Sequence, residues 1–282
     1  NPQDKLINEI LSNQYIFLII LMVPIAVIAG FFAGLFGIGG GLITVPFLFF
    51  IFEYLNFDQM YLMHLSVGTS FAIIIPTSII SVLTHKKHNS VDIRVIKNYG
   101  LFVISGVFLG TILAATLKTK SLLLFFTIVV YFLGAYLLNI KEKTAKLKPN
   151  FGLAPKIILG FISGFISAPM GIGGAVMNVP ILRYFGYPIN KAIGSASAIG
   201  FIIALFGGLG FFLTGSYLNA NLPLSIGFIN IPAFLIFIPI TMFMARVGAN
   251  KSNKMDKAKL QRFFGIFLYV IGTLFLYRYL NL

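Results

Sequence analysis

One glycine-rich phrase occurs twice in this chain and constrains the fold more than any other feature. Residues 28–48 read IAGFFAGLFGIGGGLITVPFL, and residues 162–182 read ISGFISAPMGIGGAVMNVPIL. Ten of the twenty-one aligned positions are identical without a gap. Glycine-interrupted apolar segments at matching places in two halves of a chain are typical of a membrane transporter's binding site. The repeat period is too long for a solenoid and indicates a duplicated domain.

The composition places this duplicated domain in a membrane. Hydrophobic residues make up 58% of the chain, charged residues make up 10%, and the mean hydropathy is +0.96. A soluble domain carries about 25% charged residues. Several apolar runs reach the length of about 20 residues that a helix needs to cross a bilayer. The sequence therefore predicts an all-α polytopic membrane protein.

Several classes of function are disfavoured by residues and motifs that the sequence lacks. The chain has no cysteine, which excludes disulfides and thiol catalysis. No Asp or Glu lies within a predicted apolar span, whereas cation pumps usually need carboxylates there. Nucleotide-binding, metalloprotease and nucleophile-elbow motifs are also missing from the sequence. We therefore predict that the chain is not an enzyme and uses no cofactor or metal.

The basic residues predict the orientation in the membrane. The formal net charge is +14, and Lys and Arg concentrate in loops 84–98, 141–150 and 246–259. Loops 53–60 and 214–222 have neither residue. By the positive-inside rule the first three loops face the cytoplasm, where they meet anionic lipid headgroups. The charge is thus explained by the cytoplasmic (inner) membrane, and nucleic acid is not an expected partner.

The apolar pattern also predicts how many times each half crosses the membrane. Ten helices are expected, at about 14–34, 41–52, 61–83, 95–117, 121–140, 154–169, 175–185, 191–213, 223–246 and 260–280. The apolar stretch 15–52 would extend about 57 Å as one helix, which is too long for a single crossing. If each glycine-broken stretch is a re-entrant helix pair, three full spans follow it in each half. A full span followed by a half-helix remains the alternative.

An odd number of spans turns the second half upside down relative to the first. The prediction is therefore two inverted-topology repeats: residues 1–140, a cytoplasmic basic linker at 141–152, and residues 153–282. Both termini then lie outside, as do Lys118 and Lys120, which depart from the charge rule. The ends of the halves repeat as well, because FFTIVVYFLGAYLL at 125–138 aligns with FFGIFLYVIGTLFL at 263–276.

The candidate binding residues begin with the two glycine clusters. Glycine lets the backbone leave helical geometry and approach a ligand closely. A helix that starts just after each cluster presents unpaired N–H groups and a positive dipole end. Two such ends that meet would bind an anion without a buried cation, whereas close helix packing is the alternative. The residues are Gly37, Gly39, Gly40 and Gly41 in the first half, and Gly171, Gly173 and Gly174 in the second.

Polar residues follow each cluster within one helical turn. Thr44 and Asn178 occupy equivalent positions, two residues before Pro46 and Pro180, which belong to the half-helices. Their side chains are placed to bond substrate oxygens. The alternative is a bond back to a helix carbonyl, especially for Thr44.

A second pair of small polar motifs follows in the next helix of each half. Gly68 and Thr69 lie opposite Gly194 and Ser195, and hydroxyl groups of this kind either coordinate an oxyanion or pack helices together. Ser70 and Ser197 extend the two motifs.

Charged and titratable side chains near the spans are few. His64 is a candidate for carrying a coupling proton, although such a residue more often ends a helix at the interface. His85 and His88 lie among lysines and are expected to be solvated. Arg183 either guides anions inward or extends to lipid headgroups.

These motifs resemble those of the TauE/SafE family of membrane permeases. The resemblance rests on GLFGIGGGLITVPFL, HLSVGTSFA, APMGIGGAVMNVPIL and AIGSASAIG, and extends over nearly the whole chain, including Asn230-Ile-Pro232. It implies transport of sulfite, sulfonates or related small organosulfur anions across the inner membrane. The family motif positions correspond here to the glycine clusters, Thr44 and Asn178, the two prolines, and the Gly-Thr and Gly-Ser pairs. The first cluster has Gly41 where the second has Ala175, so the two halves would contact different ends of the substrate.

Three hypotheses follow from the sequence. The first is a secondary transporter for a small sulfur-containing anion, working by alternating access. The second is a passive anion channel that uses the same half-helix ends. The third is a membrane scaffold whose glycines serve only packing.

Overall fold

The computed structural model describes residues 2–139, 152–252, 254 and 256–282. Within these ranges the chain forms α-helices and one short antiparallel hairpin. The elements are α1 (Pro2–Phe36), α2 (Gly41–Tyr54), α3 (Leu62–Lys87), α4 (Ile93–Thr116), α5 (Thr119–Asn139), α6 (Leu153–Met170), α7 (Ala175–Tyr184), α8 (Ile189–Tyr217), β1 (Ser225–Ile226), β2 (Ile229–Asn230), α9 (Ile231–Lys251) and α10 (Lys257–Leu280). The predicted linker at 141–152 lies outside the described residues, apart from Gly152.

Eight of the described helices are long and apolar enough to cross a membrane. They are α1, α3, α4, α5, α6, α8, α9 and α10. With 14 and 10 residues, α2 and α7 reach only about 21 and 15 Å, so neither crosses a bilayer alone. The prediction of an all-α polytopic membrane protein is confirmed.

The surface of the helices agrees with a lipid environment. Large apolar side chains stand well exposed, including Phe132 at 74%, Leu101 at 68% and Phe243 at 68%. Extended apolar surface of this kind is rare on soluble monomers. The interior is closed by fully buried aromatic side chains such as Phe49, Phe71 and Phe211.

Two helix starts differ clearly from the sequence prediction: α1 begins at Pro2 where residue 14 was expected, and α9 begins later than expected. The helix was expected from residue 223 but begins at Ile231, because 225–230 form the β1–β2 hairpin. The Asn230 side chain accepts a hydrogen bond from Ala233 N at 3.0 Å and caps the helix, and Pro232 lies in the first turn. An Asn cap with proline in the first turn is a strong start signal.

The broken helix of each half packs against a helix of the other half. The first-half helix α1 lies along α9 of the second half, and α6 lies along α4. A Cβ on Gly248 would lie 2.1 Å from Phe31 O, and one on Gly110 would lie 2.5 Å from Phe165 O. Phe31 and Phe165 occupy the same position in the duplicated phrase, so the two contacts are equivalent.

The outer helix pair shows the same reciprocity. In the packing of α5 against α10, a Cβ on Gly134 would approach the Tyr269 ring at 3.1 Å, and one on Gly272 would approach the Tyr131 ring at 3.3 Å. The repeat seen in the sequence is thus also a repeat of contacts between the halves.

Two of the basic loops, 84–98 and 246–259, lie together at one end of the helices. His88 Nε2 lies 3.1 Å from Asn250 Oδ1, which joins loop 84–98 to loop 246–259. At the other end Thr119 donates a hydrogen bond to Met60 O at 2.8 Å. Arg278, near the end of α10, pairs with Glu53 there.

Candidate functional site

Both glycine clusters interrupt a helix and require glycine for their backbone conformation. Between α1 and α2, Gly37, Gly39 and Gly40 have φ angles of +69°, +70° and +82°. Between α6 and α7, Gly171 and Gly174 have φ angles of +64° and +65°. An L side chain at these positions would strain the backbone. We call the two interruptions, 37–40 and 171–174, the first and second breaks.

The two breaks contact each other in the interior. A Cβ on Gly41 would lie 2.3 Å from Gly171 O, and one on Gly39 would lie 3.4 Å from Gly173 Cα. Ile74 of α3 packs beside both, at 2.9 Å from the Cβ position of Gly39. Residues 37–46 are all buried. The two glycine clusters, whose meeting was the condition for an anion site, are thus in contact.

Each break ends in a helix N-terminus without a side-chain cap. The N-cap residues are Gly40 for α2 and Gly174 for α7, both left-handed, and neither has a side chain to accept from the first turn. The first N–H groups of a helix have no intrahelical acceptor, and the dipole makes this end positive. Two helix N-termini, each at the positive end of its dipole and each offering uncharged N–H donors, thus lie where the two halves meet.

Both polar residues one turn further on bond the carbonyl of their N-cap glycine, and Asn178 has further side-chain partners. Thr44 Oγ1 donates to Gly40 O at 3.1 Å, which is the bond to a helix carbonyl that was left open as an alternative. Asn178 Nδ2 donates to Gly174 O at 2.8 Å. Its Oδ1 accepts from Tyr99 OH at 2.8 Å and from Ser163 Oγ at 3.0 Å. The sequence interpretation did not find Tyr99 or Ser163.

The two prolines lie inside the short helices that follow the breaks. Pro46 is in α2 and Pro180 is in α7. A proline inside a helix removes one i to i−4 hydrogen bond and leaves a carbonyl unpaired. Each half-helix is therefore weakened at the same place.

The Gly-Thr and Gly-Ser pairs contact the starts of neighbouring helices. A Cβ on Gly68 would lie 2.1 Å from Phe228 O, and Thr69 Oγ1 accepts from Asn230 N at 2.9 Å. In the second half a Cβ on Gly194 would lie 2.2 Å from Ser90 O, and Ser195 Oγ accepts from Asp92 N at 2.9 Å. Asn230 and Asp92 are the N-caps of α9 and α4.

Ser70 and Ser197 of these motifs do reach the breaks. Ser70 Oγ donates to Gly171 O at 2.9 Å. Ser197 Oγ donates to Ile193 O at 3.2 Å and lies 2.5 Å from the Cβ position of Gly37. Thr69 and Ser195 therefore bond the N-cap residues of neighbouring helices, whereas Ser70 and Ser197 contact the breaks.

His64 lies away from the breaks, against the hairpin. Its ring is 5.1 Å from that of Phe228, and Nε2 lies 3.1 Å from Ala114 O. The Nδ1 atom is buried without a hydrogen-bond partner among the described residues. Its role in proton coupling remains a prediction.

His85 was expected to be solvated, and that prediction is wrong. The side chain is 3% exposed, and Nε2 lies 2.9 Å from Gly34 O. Ser252 Oγ donates to Leu35 O at 2.9 Å. Both carbonyls belong to the last turn of α1, where the break removes their intrahelical partners. His88 is exposed, as expected.

Arg183 lies at the end of α7. Its guanidinium donates to Tyr187 O at 3.2 Å. Burial raises the pKa of the Tyr187 phenol, and Asp92 raises it further, so this group stays neutral near pH 7. Anion guidance and contact with headgroups both remain predictions for Arg183.

Comparisons with known proteins cover almost the entire chain. The family model described as "Sulfite exporter TauE/SafE" matches residues 22–275. A "Probable membrane transporter protein" of Haemophilus influenzae is 32% identical over 90% of this chain and 96% of its own length. A "Probable membrane transporter protein" of Methanocaldococcus jannaschii is 29% identical over 91% of this chain and 96% of its own length. No solved structure gives a significant match.

Proposed function

This chain belongs to the sulfite exporter TauE/SafE family, and we propose that it is a secondary transporter of a small sulfur-containing anion. The family and the names of its relatives indicate a membrane transporter and not an enzyme. The proposed substrates are sulfite, a sulfonate or a related organosulfur compound. The single observation that carries the proposal is the contact between the two breaks, each of which ends in an uncapped helix N-terminus.

This arrangement suits an anion because it offers donors without fixed charge. Backbone N–H groups at helix starts bind anionic oxygens, and the low dielectric of the interior strengthens such bonds. Non-helical backbone at membrane depth is tolerated where it is buried in protein or lines a cavity. The two buried breaks meet this condition.

The proposed mechanism is alternating access by inverted repeats. Transporters of this kind bind substrate between the repeats and rock one part against the other. The reciprocal packing of α1 with α9 and of α6 with α4 supports this proposal. The two broken helices therefore have equivalent surroundings, as expected if the two repeats exchange their conformations during transport.

The orientation proposed from charge places loops 84–98 and 246–259 in the cytoplasm and both chain termini outside. Supporting it, these loops lie at one end, and Glu53, Met60 and Arg278 lie at the other. The natural chain has no cysteine, so a single introduced thiol reports its own side. A membrane-impermeant maleimide should label Met60→Cys in intact cells and Lys87→Cys only after permeabilisation. The reverse pattern would invert the orientation.

Uptake into proteoliposomes tests the function. Labelled sulfite and methanesulfonate should enter saturably, with sulfonates competing better than acetate. Counterflow of labelled against unlabelled substrate distinguishes a transporter from a channel, which gives only voltage-driven flux. Absence of uptake for every sulfur anion, with proton and sodium gradients imposed, would reject the proposal. Activity that survives both Gly39→Ala and Gly173→Ala would leave the breaks a packing role only.

A further inference from the structure

The second break has polar side chains where the first has apolar ones. In the aligned phrases Ser163 lies opposite Ala29, and Ser167 lies opposite Ala33. The same holds for the helices packed alongside. Tyr99 lies seven residues after the N-cap of α4, and Phe237 lies seven residues after the N-cap of α9. The equivalent packing of the two halves therefore surrounds two breaks of different polarity.

Ser167 is the residue at this break whose hydrogen bonding is incomplete. Its side chain is fully buried, and its Oγ has no hydrogen-bond partner among the described residues. A buried hydroxyl without a partner is destabilising and calls for an explanation. The atom lies 3.0 Å from the Cβ position of Gly174, the N-cap of α7. A polar side chain is thus directed at a ten-residue helix's N-terminus.

Asn178 directs a donor at the same point. Its Nδ2 lies 3.1 Å from the Cβ position of Gly174. Tyr99 and Ser163 both donate to Oδ1, so they fix the amide with nitrogen towards the break. One of the two N–H groups on Nδ2 bonds Gly174 O, which leaves the other for a ligand.

We propose that the second break is the oxyanion half-site, in which Ser167 and Asn178 join the α7 N-terminus to bind a sulfonate group. This inference rests on the proposed transport function and specifies its substrate. The contacts described for this half-site include no Lys, Arg or His side chain. A second negative charge would therefore lack compensation, and the site selects a monoanion such as a sulfonate over a dianion such as sulfate.

The organic part of the sulfonate faces the first break. There a Cβ on Gly40 would meet Ala29 O at 3.0 Å and Ala29 Cβ at 3.6 Å. The hydroxyl of Ser197, beside Gly37, already donates to Ile193 O. Thr44 is already bonded to Gly40 O. A short alkyl group gains from such surroundings, whereas a second oxyanion does not. The substrate class is thus a small alkylsulfonate.

Ile203 of α8 occupies the half-site in this conformation. Its Cδ1 methyl lies 2.2 Å from the Cβ position of Gly174, the same point that Ser167 Oγ and Asn178 Nδ2 approach at 3.0 and 3.1 Å. Rotation of this flexible end, or movement of α8, exposes the donors. Ile203 therefore competes with the substrate.

The test measures methanesulfonate uptake in proteoliposomes for wild type and four variants. Ser167→Ala should raise KM about tenfold, as expected for a lost hydrogen bond to a charged group, and Ser167→Thr should restore most of it. Ile203→Val should lower KM a few-fold, because it removes the competing methyl. Ser66→Ala is the matched control, since Ser66 is equally buried but bonds Leu62 O within its own helix. Its KM should equal that of wild type.

The outcomes separate this inference from the transport function. Wild type that takes up no sulfur anion rejects the function itself. Saturable wild-type uptake with an unchanged KM in Ser167→Ala rejects the half-site alone, as does sulfate competing as well as methanesulfonate. Methanesulfonate-induced thermal stabilisation in detergent gives a second readout that does not depend on transport. It should be lost in Ser167→Ala and kept in Ser66→Ala.

Discussion

At the scale of single residues, Gly41, which directly follows the first break, lies close against the second break. A Cβ there would lie 2.3 Å from Gly171 O, and backbone cannot yield as a side chain does. We expect Gly41→Ala to destabilise the protein by about 1–3 kcal/mol through overpacking and to abolish uptake. Gly208→Ala in α8 is the control, because its nearest contact would be 3.5 Å and alanine favours a helix. Thermal unfolding in detergent and uptake measure both; equal behaviour of the two variants would contradict the contact.

His85 stabilises the broken end of α1. Substitution by leucine keeps the volume but leaves Gly34 O buried without its donor, which should cost about 1–3 kcal/mol. His88→Leu should have a smaller effect on stability, because His88 is exposed and its hydrogen bond to Asn250 is open to solvent. Thermal unfolding compares the two. The sequence placed both histidines among lysines and gave no sign of the difference, since burial of His85 depends on α1 packing beside α3.

At the scale of helices, local signals in the sequence predicted the structure where they were strong. The glycine clusters marked the ends of α1 and α6, because positive φ angles suit glycine. The start of α9 was missed although Asn230-Ile-Pro232 carries a cap and a first-turn proline, because the apolar pattern continues through the hairpin. The partners of Asn178 were missed for another reason. Tyr99 is 79 residues away in the chain, and only the packing of α4 against α6 brings it near.

The cap of α9 is expected to stabilise the hairpin and the helix together. Asn230 Oδ1 accepts from Ala233 N, and Nδ2 donates to Ser225 Oγ at 3.2 Å. Asn230→Ala should lower the free energy of unfolding by about 1 kcal/mol. Asn230→Asp keeps the acceptor and should recover most of that loss. Thermal unfolding in detergent is the measurement, and equal losses in both variants would assign the stability to the hairpin bond and not to the cap.

At the scale of the whole molecule, the duplication could be recognised in the sequence, but the way in which the two halves pack together could not. The repeated phrases predicted two related halves, and the structure brings the two glycine clusters into contact. In the structure the broken helix of each half packs against a helix of the other half, α1 against α9 and α6 against α4. These contacts join segments that are far apart in the chain, so the sequence pattern did not reveal them. The polar asymmetry was visible as Ser163 and Ser167 opposite alanines. Its importance for the site followed only from the structure, in which the Ser167 hydroxyl lies close to Gly174.

Alternating access predicts that the broken stretches move against α3 and α8, and a reversible bridge tests this. Val45 of α2 and Val67 of α3 both approach the Cβ position of Gly171, with γ carbons at 2.9 and 3.1 Å. Cysteines at both positions in the naturally cysteine-free chain should be bridged by Hg²⁺, which should stop counterflow, and excess thiol should restore it. Each single variant should stay active under the same treatment. Counterflow that continues at the wild-type rate in the bridged protein would show that α2 and α3 do not separate during transport, and the proposed movement of the breaks would have to be abandoned.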